Sequence, residues 1–95
     1  MAKKRESILV DDLNQCIVCG RPHPHIHEVF FGRNRQKAIR DKMVIPLCYE
    51  HHEGDSGPHK DRSTDLFYKK TAQKKWEATY GSREDFIAEY GKSYL

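Results

Sequence analysis

The sequence has no long hydrophobic run and is poor in apolar residues overall. Hydrophobic side chains make up 37% of its 95 residues, and charged side chains make up 33%. No apolar stretch approaches the roughly 18 residues of a membrane-spanning helix. The chain is also too short to hold a Rossmann domain, a TIM barrel or a protein kinase. These absences leave one small domain as the expected organisation.

The amino-terminal stretch lacks the apolar segment of a secretory leader. Basic residues at 3–5 are followed by only three apolar residues, 8–10, before two aspartates. A leader has about 7–15 apolar residues at this place. We therefore expect a cytoplasmic protein in which residues 1–12 form a basic segment with a short strand at 8–10.

Cysteine is scarce, whereas histidine is abundant for a chain of this size. There are three cysteines and six histidines. Three cysteines cannot all pair within one chain, and a reducing cytosol disfavours disulfides. Because so small a domain buries a limited core, it often needs a metal ion for stability. The composition therefore favours a metal-stabilised domain.

Two ligand pairs share the same two-residue spacing, Cys16-x2-Cys19 and Cys48-x2-His51. This spacing lets both members of a pair bind one tetrahedral ion, and two pairs complete the four ligands of a structural zinc. A redox pair is the alternative for a single C-x-x-C, but the second pair favours zinc. A finger with two cysteines and two histidines is excluded, because it needs about twelve residues between its second cysteine and first histidine.

Further histidines remain once that zinc site is filled. His27 lies on a predicted strand, His52 follows His51 directly, and His59 lies in a loop rich in glycine and proline. Together these three could hold a second metal ion with open positions, as catalytic sites do. A histidine taken singly is more often exposed or hydrogen-bonded at a turn. His25 shares a strand face with His27 and is a reserve candidate.

The pattern of the chain predicts an α+β fold. Residues 13–62 form the expected zinc-stabilised core, with strands at 26–31 and 43–47. Pro46 places the second strand at a sheet edge. A short helix is expected within 33–42, a helix or turn from Cys48, and a loop over 53–61.

Residues 63–95 are expected to form two helices packed on this core. Ser63, Thr64 or Asp65 could cap the first helix, and Gly81 ends it. A capping box from Ser82 to Asp85 begins the second helix, and Gly91 stops it. A core stripe is predicted along the first helix, formed by Leu66, Phe67, Ala72, Trp76 and Tyr80. We expect Tyr68, Trp76 and Tyr80 to be core residues rather than base-stacking platforms.

The chain is mildly basic, with a formal net charge of +3, which permits binding to nucleic acid without requiring it. Between residues 33 and 42 five basic residues accompany a single acid, and we expect these five to contact DNA phosphates. They are Arg33, Arg35, Lys37, Arg40 and Lys42. For the lysines at 69–75, simple solvation and phosphate contact are both open.

Taken together, these motifs resemble small phage-encoded HNH endonucleases over about residues 15–95. The resemblance rests on Cys16-x2-Cys19, on His27-Glu28-Val29-Phe30, and on Leu47-Cys48-x2-His51-His52 followed by His59. The tail supports it, with Ser82-Arg83-Glu84-Asp85-Phe86 and Tyr90-Gly91-Lys92-Ser93-Tyr94-Leu95.

The resemblance implies a ββα-metal (HNH) fold and metal-dependent hydrolysis or nicking of DNA with low sequence specificity, leaving 5′-phosphate and 3′-hydroxyl ends. Structural zinc would be bound by Cys16, Cys19, Cys48 and His51. A catalytic divalent ion, such as Mg²⁺, Mn²⁺, Ni²⁺ or Zn²⁺, would be bound by His27, His52 and His59. No small-molecule cofactor and no membrane are implied. A terminase or a recombinase is the partner that the resemblance suggests, in phage DNA packaging or recombination within a bacterial host.

Two positions depart from the family pattern. Glu28 stands where the family usually has a histidine that acts as general base, and Asn34 is the nearby asparagine that could replace the usual central one. Either Glu28 is the base, or His27 is the base and the ion is held by His52, His59 and one of Glu28 or His25. These departures also support an alternative, a non-catalytic zinc-stabilised module that binds DNA or protein. A toxin-like nuclease effector is a third and weaker reading.

Overall fold

The computed structural model describes residues 6–95, so the basic residues at 3–5 lie outside the described part. It is a small α+β domain. Two strands are present, β1 (His25–Glu28) and β2 (Val44–Leu47). A 3-10 turn (Gly32–Asn34) and the helices α1 (Arg35–Arg40), α2 (Tyr49–Glu53), α3 (Arg62–Thr79) and α4 (Arg83–Tyr90) complete it. Within the described part, no helix is both long and apolar enough to cross a membrane.

The two strands form an antiparallel sheet in which His27 pairs with Ile45 and Ile26 with Pro46. Pro46 has no N–H to donate and is tolerated because a two-stranded sheet has only edges. Its carbonyl accepts a 3.0 Å hydrogen bond from the N–H of Ile17. This bond fastens the Cys16–Cys19 loop along the free side of β2, which confirms the predicted edge position.

The first strand is shorter than the predicted 26–31 and ends at Glu28. Val29 and Phe30 leave the sheet and are fully buried. The Phe30 ring packs against Phe86, Tyr90 and Tyr94, with centroids 5.0–5.5 Å apart. Val29 and Phe30 therefore supply the core beneath the carboxy-terminal helix rather than extending the strand.

The predicted strand at 8–10 is wrong. The Ser7 hydroxyl accepts hydrogen bonds from the N–H groups of Leu9 and Val10, at 2.9 and 3.3 Å. These bonds turn the backbone and prevent strand pairing. Ile8, Leu9 and Val10 still pack against the core as partly buried side chains.

Both carboxy-terminal helices are confirmed, with one correction to their caps. The cap of α3 is Asp61, whose side chain accepts from the N–H of Thr64 at 3.1 Å, and not one of the residues 63–65. The capping box of α4 is present, because Ser82 and Asp85 bond to each other's backbone N–H. Gly91 ends α4 with φ +94, a left-handed conformation that glycine adopts without strain.

The core stripe predicted along α3 is only partly right. Ala72 and Trp76 are buried, whereas Phe67 is 65% exposed and Tyr80 is 45% exposed. Trp76 follows Phe67 by nine residues, and at about 100° per residue the two side chains project from opposite sides of the helix. The aromatic residues of α3 therefore divide between the core and the surface.

Candidate metal centres

The four predicted zinc ligands converge at one end of the sheet. Cys16 and Cys19 lie in a tight loop closed by the Gly20 N–H, which donates to the Cys16 carbonyl at 2.8 Å. Cys48 is the N-cap of α2, and His51 lies in the first turn of that helix. The loop and the helix thus each contribute one ligand pair, and the four ligand atoms lie within 4.8 Å of one another.

The spacing of these atoms fits a tetrahedral zinc ion. Ligands at the usual Zn–S and Zn–N distances would lie about 3.8 Å apart for two sulfurs and about 3.5 Å for a sulfur and a nitrogen. The Sγ atoms of Cys19 and Cys48 are 3.7 Å apart. His51 Nδ1 lies 3.7 Å from Cys16 Sγ and 3.2 Å from Cys48 Sγ. These residues could therefore hold a metal ion without rearrangement.

The thiol of Cys16 is prepared for ligation. Burial alone would raise its pKa, but hydrogen bonds from backbone N–H groups and from His51 outweigh burial and lower the pKa to about 6. The Val18 N–H is one of these donors, 3.4 Å from the sulfur. The thiolate is the metal-binding form of cysteine. The loop therefore favours the thiolate of Cys16 over its thiol near neutral pH.

A second cluster is formed by His27 on β1, His52 on α2 and His59 in the loop before α3. His52 Nε2 lies 3.2 Å from His27 Nδ1 and 3.0 Å from His59 Nε2. A neutral ring nitrogen offers either one proton or one lone pair, so His52 Nε2 can form only one good hydrogen bond and cannot satisfy both of these short contacts. A cation that accepts all three lone pairs removes the conflict, so the donor set fits a metal ion.

Burial keeps His27 and His52 in the neutral, metal-binding form of histidine. His27 is 2% exposed, and burial, reinforced by His52, His59 and Lys69, lowers its pKa to about 3. Burial likewise lowers the pKa of His52, against the opposing effect of Glu53. Both imidazoles are therefore neutral at physiological pH, as metal binding requires. His59 is exposed, so the cluster is open to solvent on one side.

Two further side chains lie near the other ring nitrogen of His52, Nδ1. Nδ1 of His25 lies 3.2 Å from His52 Nδ1, and Oε1 of Glu53 lies 3.5 Å from it. The alternation of His25 with His27 indicates the first of these neighbours. No sequence pattern indicates Glu53, because it is simply the last residue of α2.

The structure does not bring Glu28 and Asn34 into the converging histidine set of the described residues. The Glu28 carboxylate accepts a 2.6 Å ion-pair hydrogen bond from Arg35. The Asn34 side chain donates to the carbonyl of Tyr90 at 3.1 Å and so ties the 3-10 turn to the end of α4. Asn34 therefore has a structural contact where we expected a catalytic one.

Most of the basic residues predicted to bind DNA have partners within the protein. Arg35 pairs with Glu28, Arg40 with Asp41 and Glu89, and Lys42 with Glu6. Lys37 donates to the carbonyl of Glu89. Within residues 6–95, Arg33 is the member of this set that has no such bond. Internal pairing thus neutralises much of the charge that the segment carries.

No family model matches the chain, and neither a curated protein nor a solved structure matches it.

Proposed function

We propose that the protein is a metal-dependent DNA endonuclease of the HNH type. The observation that carries the proposal is the convergence of His27, His52 and His59 beside a separate and complete set of three cysteines and one histidine. The set of three cysteines and one histidine accounts for a structural zinc. The three histidines are left as an additional ligand set, open to solvent, of the kind found in hydrolytic metal sites.

The chain order supports the same assignment. An antiparallel strand pair is followed directly by α2, and this helix carries ligands of both centres on consecutive residues, His51 and His52. β1 provides His27 and the loop before α3 provides His59. This is the ββα-metal arrangement that the sequence resemblance implies, with zinc holding the helix against the Cys16–Cys19 loop.

The histidines would supply three ligands to a divalent ion, and the exposed side at His59 leaves the site open to solvent. A bound divalent ion would neutralise charge developing on the phosphate and lower the pKa of a water. Because His27 is buried and lies within the candidate ligand set, we take it as a metal ligand rather than as the base. Glu28 is then the candidate base, because it stands where the family that the sequence resembles has its general base. Its bond to Arg35 would have to open for it to take a proton from water.

Low sequence specificity follows from the small size of the domain. Residues 6–95 form one small α+β domain, and this part of the chain contains no separate module for reading base edges. A terminase or a recombinase remains the proposed partner that would direct the protein to its DNA.

The first test is nicking of supercoiled plasmid by the zinc-loaded protein with Mg²⁺, Mn²⁺, Ni²⁺ or additional Zn²⁺. Nicking should be lost in His52→Ala and in His59→Ala, and the products should carry 5′-phosphates. His23→Asn is the matched control, because His23 is exposed with φ 57 and asparagine tolerates that conformation. Each variant should retain one zinc per chain and the wild-type circular dichroism spectrum.

A non-catalytic zinc-stabilised binding module is the second candidate. The bond from Arg35 to Glu28 favours it, because it occupies the carboxylate that would act as base. The two candidates differ in metal content: the module binds one zinc per chain, whereas the nuclease binds a further exchangeable ion through His52 and His59. Zinc-loaded protein that takes up no second ion and nicks nothing would favour the module.

A further inference from the structure

The outward side of α3 carries an aromatic ring among lysines. Phe67 is 65% exposed, and Lys70 and Lys74 follow it by three and seven residues. At about 100° per residue these three side chains lie within about 60° of one another around the helix. Lys75 is also exposed and lies at the margin of the group. We call Phe67, Lys70, Lys74 and Lys75 the outer α3 face.

The lysines of this face are available to an external anion. Within residues 6–95, Lys70, Lys74 and Lys75 form no ion pair, in contrast to most of the basic residues between 33 and 42. The nearest acid along this side of the helix is Glu77, which accepts hydrogen bonds from Gln73 and Arg83 at 2.9 and 3.3 Å. The positive charge of the outer α3 face is therefore not offset within the fold.

We propose that the outer α3 face binds single-stranded DNA. The ammonium groups would contact consecutive phosphates, since four helical residues advance about 6 Å, close to the phosphate spacing of an extended strand. The exposed Phe67 ring would stack on one base. Stacking distinguishes single-stranded from duplex DNA, because duplex bases are covered by their neighbours whereas unpaired bases offer a free ring face. The inference rests on the proposed function, from which it takes DNA as the bound polyanion. It adds that this DNA is single-stranded.

The outer α3 face is separate from the histidine cluster. Lys69 projects from the other side of α3, where its ammonium lies 4.3 Å from the centre of the Phe31 ring, and that ring is 5.0 Å from His59. Phe67 and Lys69 differ by about 200° around the helix. A strand held on the outer α3 face is thus separated from the histidine cluster by more than one helix diameter, about 10–12 Å, so the face serves to hold the strand.

The experiment is a titration of fluorescein-labelled dT20, and of a 20-base-pair duplex, with zinc-loaded protein in the absence of any other divalent ion. Phe67→Ala should weaken binding to dT20 about tenfold and change duplex binding less than twofold. Phe67→Trp should keep the wild-type affinity for dT20, and the fluorescence of its exposed indole should be quenched by the oligonucleotide. The double substitution Lys70→Ala/Lys74→Ala should lower the salt slope for dT20 by about 1.4, at about 0.7 per phosphate contact.

Lys92→Ala is the matched charge control, because Lys92 contacts Tyr94 and lies outside the outer α3 face. Unchanged dT20 affinity in Phe67→Ala would overturn the proposal. Equal losses for dT20 and duplex would also overturn it and identify a duplex-binding surface without stacking. Because these titrations need neither the second metal nor cleavage, protein that binds dT20 but nicks nothing would refute only the proposed nuclease.

Discussion

The indole Nε1 of Trp76 donates a 2.9 Å hydrogen bond to Oδ2 of Asp41. The hydroxyl of Tyr90 donates to the same oxygen at 2.8 Å, and Arg40 donates to both oxygens of the carboxylate. The carbonyl of Asp41 also accepts from the Tyr80 hydroxyl at 2.7 Å. One buried aspartate at the end of α1 therefore connects the sheet-bearing half of the domain to α3 and α4.

Replacing this aspartate should destabilise the whole domain. Asp41→Ala leaves the buried donors of Trp76 and Tyr90 without an acceptor, which should lower the free energy of unfolding by about 3 kcal/mol. Urea unfolding of the zinc-loaded protein measures this change. Asp11→Ala removes an exposed carboxylate and should shift it by less than about 0.5 kcal/mol. A loss under about 1 kcal/mol for Asp41→Ala would show that other contacts hold the helices in place.

The same carboxylate should make stability depend on pH in acid. Burial would raise the pKa of Asp41, but hydrogen bonds from Arg40, Trp76 and Tyr90 outweigh it and hold the pKa below its ordinary value. Because the folded state binds its proton more weakly than the unfolded chain, the contribution is complete above the unfolded pKa of about 3.9. It is lost as the pH falls below that value.

The difference in unfolding free energy between wild type and Asp41→Asn isolates this contribution, because loss of metal at low pH affects both proteins alike. The difference should be constant between pH 5 and 7 and should shrink below about pH 4. A difference that grew on acidification would mean that the folded protein raises the pKa of Asp41.

Two ligand pairs, Cys16 with Cys19 and Cys48 with His51, are predictable from the sequence because each depends on local spacing. A two-residue interval fits one turn or the beginning of one helix, independently of the fold of the rest of the chain. The capping box at Ser82 is predictable for the same reason. The convergence of His27, His52 and His59 depends on topology: the histidines that remained after the zinc ligands made it a candidate, and the family resemblance indicated the same three residues.

What the sequence did not predict depends on partners far along the chain. Asp41 appeared as the single acid of a basic segment, although its donors lie 35 and 49 residues away. Lys42 and Arg40 appeared as phosphate contacts because the pattern does not show that Glu6 and Glu89 are close. Phe67 is exposed because the opposite side of α3 packs against Phe86 and Tyr90. The sequence of α3 by itself does not determine which side of the helix faces the core.

Removal of the structural metal should unfold the protein. Zinc in sites of this kind contributes about 10–16 kcal/mol, which is as much as the total stability of an ordinary domain, and Cys16 and Cys48 belong to the buried core. Circular dichroism during a chelator titration should show loss of helix as one zinc per chain is released. His59→Ala should unfold at the same chelator concentration, because it disturbs only the histidine cluster. A zinc-free chain with the native spectrum would contradict the prediction.

Gly57→Ala should weaken both metal centres at once. A Cβ atom at Gly57 would lie 2.6 Å from the carbonyl oxygen of His52 and 2.9 Å from that of His51. These are backbone atoms and cannot rotate away, so the end of α2 must shift. Since His51 faces the cysteines and His52 faces the other histidines, the shift should displace one ligand of each centre and lower both affinities by about 10- to 100-fold.

Competition with a chromophoric chelator measures the zinc affinity of the cysteine-containing site, and Mn²⁺ titration followed by electron paramagnetic resonance measures the affinity of the histidine cluster. Ser56→Ala, at an exposed neighbouring position, should change neither. Loss at one centre alone would mean that α2 adjusts at a single residue and that the two centres are mechanically independent.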